Sequence, residues 1–418
     1  MDKRVVLSSA ESKKPSFFYG YIIVATAFLI IAIVWGTFHS FGIFLKPLST
    51  ELGWTRAMTS GAFSVSFLLL GLLGIVTGRL TDRFGPRIVV AVCGLFLGLG
   101  YVLMSQVSTI WQLYLFYGAF IGAGMSGSVV PLLSTIARWF SKRRGMMTGI
   151  AISGLGVGML IMSPVANWLI ATYGWRTSYI IVGIIILALV IIPAQLLRNF
   201  PRQSGQLPYS ENAAGEKDDL QKIGFSLREA IRTRQLWLLG AALVCFFLGI
   251  EAVLVHIVPH ATDLGISTSN AATILAVTGG LSTIGRVIMG GASDRIGNKL
   301  ALIICFVLVS MALFWLLAAK ELWMLYLFAA IFGFGYGGTA ALLSPTVAEL
   351  FGLGSHGAIL GVILFSATIG EASGPVLAGH IFDVTGGYSL AFLVCALVTL
   401  AGFVLVSLLR PAGAEGPM

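Results

Sequence analysis

The sequence predicts an all-α polytopic membrane protein, with twelve transmembrane helices in two parallel six-helix repeats. Three observations carry this reading: the scarcity of charge, the number of apolar runs long enough to cross a bilayer, and the likeness of the chain's two halves to each other. Of 418 residues, 57% are apolar and only 10% are Asp, Glu, Lys or Arg, and the mean hydropathy is +0.94. Soluble domains carry about 25% charged residues, and a chain this poor in charge would leave wide apolar patches in water. Lipid is its solvent. Cys93, Cys245, Cys305 and Cys395 all stand inside apolar runs, which suits inert packing better than a disulfide framework or a metal site. No metal and no cofactor is expected.

A helix needs about 20 mostly apolar residues to cross the hydrocarbon core. Twelve such runs occur, near 18–45, 56–78, 87–106, 110–137, 146–171, 176–197, 235–262, 270–291, 300–319, 323–348, 357–381 and 388–409. The polar residues 1–17 do not read as a cleaved signal, because a full-length span follows them. Twenty-one of the 26 Lys and Arg residues fall in loops on one side, while Lys46, Arg56, Arg176 and Lys320 fall on the other. This bias puts both termini in the cytoplasm, as in a multi-pass protein of the cell's inner membrane. The net charge of +9 is then an orientation signal and not a nucleic-acid surface. The expected organisation is a cytoplasmic N-terminus (1–17), a six-helix bundle (18–197), a cytoplasmic linker (198–234), a second six-helix bundle (235–409) and a tail (410–418).

Shifting the chain by 212 residues aligns Asp82, Arg83 and Gly85 with Asp294, Arg295 and Gly297, and Trp111 and Leu113–Phe116 with Trp323 and Leu325–Phe328. Gly149, Gly158 and Gly174 fall on Gly361, Gly370 and Gly386. Six is even, so both copies keep one topology, with a substrate path between them. The loop Gly78-Arg79-Leu80-Thr81-Asp82-Arg83-Phe84-Gly85-Pro86-Arg87 resembles the signature loop of the major facilitator superfamily, and Gly290–Lys299 resembles its second-half echo. The resemblance implies that Asp82, Arg83, Arg87, Asp294 and Arg295 form a gate, locking the cytoplasmic side when the transporter faces out.

Trp139-Phe140-Ser141-Lys142-Arg143-Arg144, followed by Gly149, Ala151 and Gly154, resembles the fifth-helix signature of the monocarboxylate transporters. Phe18-Tyr19-Gly20-Tyr21 is a looser match to that family's first helix, and Gly374-Pro375 with Gly379 and Asp383 is similar to its eleventh. The oxalate and formate type of anion exchanger shares the Phe-Gly-Pro-Arg wording of the loop.

One basic residue belongs to no loop. Arg286 lies eight residues before Asp294, so at 1.5 Å per residue it is about 12 Å deep. Charge at that depth costs about 2.5–3.5 kcal/mol on insertion scales and usually faces a cavity. A guanidinium stays protonated there and can grip a carboxylate through two parallel bonds. Arg286 is therefore the expected anchor of a substrate anion, and it falls where the monocarboxylate family carries its eighth-helix arginine. One turn earlier the family's proton-carrying aspartate is replaced by Ser282, and the family's first-helix lysine by His39. His39 is the second cation available to a substrate. Tyr114, Tyr117, Phe332 and Tyr336 are candidates for an apolar wall around a short organic tail.

With the usual relay altered, another group must titrate if protons are coupled. His256, His260 and Asp263 share one helix face, and His titrates near neutrality. Asp263 is the favoured carrier, its proton exchanging when a substrate carboxylate takes a nearby arginine, with His256 and His260 lining the path. Glu251 and Glu371 are further acids inside apolar runs, and the sequence does not choose between them. The expected function is transport of a short monocarboxylate, lactate- or pyruvate-like, with a proton, by alternating access and as a monomer. The alternatives are a proton-independent carboxylate exchanger and, further off, a drug exporter, although Ser163-Pro164 lacks that class's full Gly-x-x-x-Gly-Pro pattern. No nucleotide loop or nucleophile-base set points to an enzyme.

Overall fold

Backbone N–H and C=O groups have no water to bond in a bilayer, so the apolar runs can cross it only as helices or closed barrels. The computed structural model describes residues 18–140, 144–199, 225–352 and 355–409, and these are helical with no strand. The linker from 200 to 224, residues 1–17, the tail from 410 and the Lys142-Arg143 part of the basic triplet lie outside the described residues.

In the first half, α1 (Gly20–His39) and α2 (Phe41–Leu52) make one span with a joint at Ser40. α3 is Arg56–Phe84 and α4 is Pro86–Met104. The fourth span is composite: α5 (Ile110–Leu113), an eight-residue π-helix over Tyr114–Ile121, α6 (Gly122–Met125) and α7 (Val130–Trp139). α8, Arg144–Ala194, carries the fifth and sixth spans and is divided where Gly174 takes φ 75° and ψ 162°. In the second half, short α9 (Leu227–Ile231) precedes α10 (Arg234–Asp263), α11 (Thr268–Ile296), α12 (Asn298–Ala318), α13 (Leu322–Phe351), α14 (His356–Thr385) and α15 (Ser389–Ser407). Eleven helices among the described residues are long and apolar enough to cross a membrane, one of them the 49-residue Met146–Ala194. The break at Gly174 divides that one into two and restores the expected twelve.

The internal repeat is written into the backbone. α3 and α11 each have 29 residues, and both start and end 212 positions apart. Each begins at a hydroxyl cap, Thr55 accepting from the N–H of Met58 and Ser267 from that of Asn270. Each ends on a glycine of positive φ, Gly85 at 83° and Gly297 at 85°. Gly53 pairs with Gly265, and Gly174 with Gly386, in the same way, all at positive φ, where a Cβ would be strained. The equal length of α3 and α11, with caps and turns at a constant offset, carries the repeat from sequence into shape. The copies meet where α3 packs on α14 and where the first part of α8 packs on α11.

Candidate functional site

At mid-membrane several helices bring polar side chains together. α11 supplies Ser282 and Arg286, α13 supplies Tyr336, α1 supplies His39, α10 supplies Glu251 and α14 supplies Glu371. α11 and α13 lie almost backbone to backbone: a Cβ at Gly337 would stand 1.8 Å from the Ser282 carbonyl oxygen. Such a contact fixes where the side chains on either side of it point.

Arg286 is 7% exposed. Its Nη1 donates to Ser282 Oγ at 3.3 Å, and the guanidinium carbon stands 5.7 Å from the centre of the Tyr336 ring. Nε and Nη2 are buried with no partner at full hydrogen-bond geometry, the Tyr336 hydroxyl lying beside the guanidinium. A buried donor left unpaired costs about 1–3 kcal/mol, more when it is charged, so the site is energetically incomplete without an acceptor. Arg286, Glu251 and Glu371 are all within electrostatic range of the Tyr336 hydroxyl, and Glu371 is within range of Glu251. His39 Nε2 lies 3.6 Å from Glu251 Oε1, both side chains being shielded.

A second polar cluster closes the end opposite the basic loops, called the outer end from the orientation the loop charges predict. Asp263, the last residue of α10, accepts from Lys46 Nζ at 2.8 Å and from Arg56 Nη2 at 2.7 Å. Asp383 accepts from the backbone N–H groups of Arg56 and Ala57 at 2.9 Å each, a carboxylate at the positive end of α3. Arg56 also lies 3.7 Å over the Phe382 ring and donates to the Tyr388 hydroxyl at 2.5 Å. That hydroxyl lies 2.9 Å from His256 Nδ1, and His256 Nε2 lies 2.9 Å from the Pro375 carbonyl. A carbonyl only accepts, so Nε2 carries the hydrogen and Nδ1 accepts from Tyr388. Lys46 and Arg56 belong to the first half and their partners to the second, so the cluster is a seal between the halves.

The residues expected to carry a proton fall within this cluster. Asp263, His256 and His260 do share one face of α10, but the arginine beside Asp263 is Arg56 of this cluster and not Arg286, the expected substrate anchor. Asp263 terminates its helix whereas Arg286 lies well inside α11, which is why the two do not meet. His260 packs edge-on against Tyr388 and Phe392, with Nε2 unpartnered. Of the four aromatics expected to wall a substrate tail, Tyr336 does stand at Arg286. Tyr117 does not: it is fully buried, stacks on Phe38, Phe41 and Phe63 and donates to the Phe38 carbonyl at 3.2 Å, so it is core of the first half. Phe332 is likewise fully buried, against Phe328. Tyr114 turns its hydroxyl toward Gly61 of α3. His39, expected as a second cation for the substrate, has Glu251 as its partner.

At the basic end, Asp82 pairs with Arg138, which also donates to Asn199. Arg87 Nε donates to Gln195 at 2.6 Å, Arg83 lies over the Phe84 ring, and Asp294 and Arg295 are exposed. The signature-loop contacts of Asp82 and Arg87 thus stay within the first half and do not bridge to the second. A cavity of about 390 Å³ opens at the outer end between Ile43, Lys46, Asn167, Val258 and Thr262. Its one cation, Lys46, is already engaged by Asp263, so it offers an anion less than Arg286 does. No group of three or more His, Cys, Asp or Glu among the described residues could hold a metal ion. Tyr388 was not singled out from sequence, Arg56 was named only as a loop charge, and Asp383 only within the eleventh-helix resemblance. The repeat offset, which places Asp263 on Glu51 and Tyr388 on Arg176, was the signal available, since Glu51 and Arg176 also pair, at 3.0 Å.

Comparison with known proteins gives one picture. The family model described as Major Facilitator Superfamily matches residues 24–298 and 239–417. Monocarboxylate transporter 13 of Bos taurus is 29% identical over 394 residues, covering 94% of this chain and 89% of the relative. Human monocarboxylate transporter 2 is 26% identical over 405 residues, covering 92% and 84%. A solved bacterial homologue of the human lysosomal transporter Spinster, described as inward-facing and unoccupied, superposes with a TM-score of 0.70 at 17% identity, covering 93% of this chain and 95% of its own. With its twelve crossings, paired six-helix copies and matching family model, the chain belongs to the major facilitator superfamily and is a membrane transporter, not an enzyme.

Proposed function

We propose that this transporter moves a short monocarboxylate, lactate- or pyruvate-like, together with a proton, by alternating access between its two halves. In this reading it sits in the cell's inner membrane with both termini cytoplasmic. The observation that carries the proposal is the pair of buried, unpartnered donors on Arg286, Nε and Nη2. A carboxylate could occupy them, with Ser282 steadying Nη1. Arg286 is the anchor, Tyr336 a wall of the pocket, and the seal of Asp263, Lys46, Arg56, Asp383 and Tyr388 the outer gate. A single free guanidinium suits a monoanion, whereas a dicarboxylate would want a second cation free of acids, and His39 faces Glu251. The named relatives support the substrate class.

Labelled lactate in proteoliposomes tests the reading. Wild-type protein is expected to accumulate lactate in vesicles empty of anion when the outside is acidified, and Arg286→Ala to abolish both binding and uptake. A strict need for internal anion would replace proton symport by exchange. Wild-type lactate binding in Arg286→Ala would overturn the anchor.

A further inference from the structure

His39 and Glu251 are 212 positions apart, so they are the same position in the two copies of the repeat. Equivalent positions on the first helix of each half meet only where the axis relating the halves passes between them. There the two side chains lie 3.6 Å apart, with 0% and 2% exposure. Neither is satisfied: His39 Nε2 and Glu251 Oε2 have no hydrogen-bond partner. The other ring nitrogen, His39 Nδ1, is 3.0 Å from the Trp35 carbonyl. A carbonyl only accepts, so Nδ1 carries a hydrogen in either charge state, and in the neutral ring Nε2 presents a bare lone pair to Glu251. Between Nε2 and the carboxylate there is room for one proton, held by either partner.

We infer that the His39–Glu251 pair is the proton-coupling site of this transporter, taking up one proton when a carboxylate binds at Arg286 and releasing it when the carboxylate leaves. The inference rests on the monocarboxylate reading proposed above. Its physical basis is charge balance. A buried cluster strongly disfavours a net charge. The groups facing the pair are Tyr336 from α13 and Glu371 from α14, with Trp35 stacked on the His39 ring, and Arg286 of α11 stands at Tyr336. In the empty site, Arg286 offsets an ionised Glu251 beside a neutral His39. An incoming carboxylate claims Arg286 and leaves Glu251 as an uncompensated buried anion, unless a proton joins the pair. Two acids share the one cation Arg286, so one of them is protonated in the empty site and the other carries the charge and later accepts the proton, and Glu371 competes with Glu251 for that second role. Geometry favours Glu251, which has a base within reach and faces the opposite half. Because one partner comes from each half, separation of the halves would part the pair and tie protonation to the change of access.

Two assays on the full-length protein separate this inference from the reading beneath it. Lactate counterflow, with lactate on both sides and no pH gradient, needs no net proton movement. Acid-driven accumulation does. Glu251→Gln is expected to show counterflow above the Arg286→Ala background while losing accumulation in response to an imposed pH gradient, and Glu371→Gln to keep that response. In detergent at alkaline pH, a pH-indicator dye should register proton uptake when lactate is added to wild type, and none in Glu251→Gln at saturating lactate. Gradient-driven accumulation by Glu251→Gln would overturn the assignment. So would its loss in Glu371→Gln alone, or failure of Glu251→Gln in counterflow and gradient assays alike. Absence of lactate counterflow in wild type would instead remove the monocarboxylate reading.

Discussion

Arg286 is the residue on which charge, geometry and depth agree. Its exchange for lysine keeps the charge but not the planar fork, and two parallel bonds become one point contact. Arg286→Lys should weaken carboxylate binding about tenfold or more, corresponding to ~1.4 kcal/mol, as measured by titration calorimetry. Ser282→Asp is a sharper probe, because Ser282 already touches the guanidinium at 3.3 Å. An ionised Asp there would occupy Arg286 and compete with substrate, so lactate affinity should fall at neutral pH. It should recover as the pH drops and the new carboxyl becomes protonated; affinity that is lost equally at all pH values would contradict this. Arg286 was legible in the sequence because its depth follows from counting along a single helix. The partner of His39 was not, because a contact between residues 212 positions apart depends on how two bundles meet, and hydropathy along one chain carries no trace of that.

Helices were legible because lipid forces every apolar run of sufficient length to satisfy its own backbone. The π-helical turns of Tyr114–Ile121 were not, since moving a hydrogen bond by one residue leaves hydropathy unchanged. The outer ends of α2, α3, α10 and α14 hold the clearest test at this scale. Asp263 engages two cations, each pair part-exposed, and such pairs are worth about 0.2–1 kcal/mol apiece. Asp263→Asn should therefore loosen the seal by ~1 kcal/mol, close to fivefold in opening. A cysteine placed behind the seal by Ser60→Cys, at a residue fully buried and bonded to the Pro375 carbonyl at 3.1 Å, would report it. A membrane-impermeant maleimide added outside should label that cysteine several times faster when Asp263 is changed; unchanged labelling would show that the seal does not depend on this carboxylate.

For the whole molecule, the repeat was readable from coincident residues, and it correctly implied two like bundles, because duplicated loops keep the same turns. What it did not convey is where the copies diverge. Glu51 is held inside its own half by Trp175 and Arg176, whereas its counterpart Asp263 is reached by Lys46 and Arg56 from the other half. If the halves must part at this end during each cycle, bridging them should stop transport. Lys46→Cys with Thr262→Cys, replacing side chains that touch at 3.2 Å, joined by a short cleavable bis-thiol reagent, should abolish uptake, and cleavage should restore it. Uptake through the bridged protein would argue against a rocking cycle.

The uneven fate of Glu51 and Asp263 also sets a waiting posture. Parallel copies are exchanged by an axis along the membrane normal, so their likeness leaves the balance between facing in and facing out to the contacts made at each end. One acid reassigned across the divide gives the outer-closed form contacts that the outer-open form must forgo. A few such contacts amount to about 1–3 kcal/mol, or roughly 5- to 150-fold in population. An unloaded carrier would then idle closed to the outside, and its return to face outward, rather than the passage of cargo, would set the pace of net uptake.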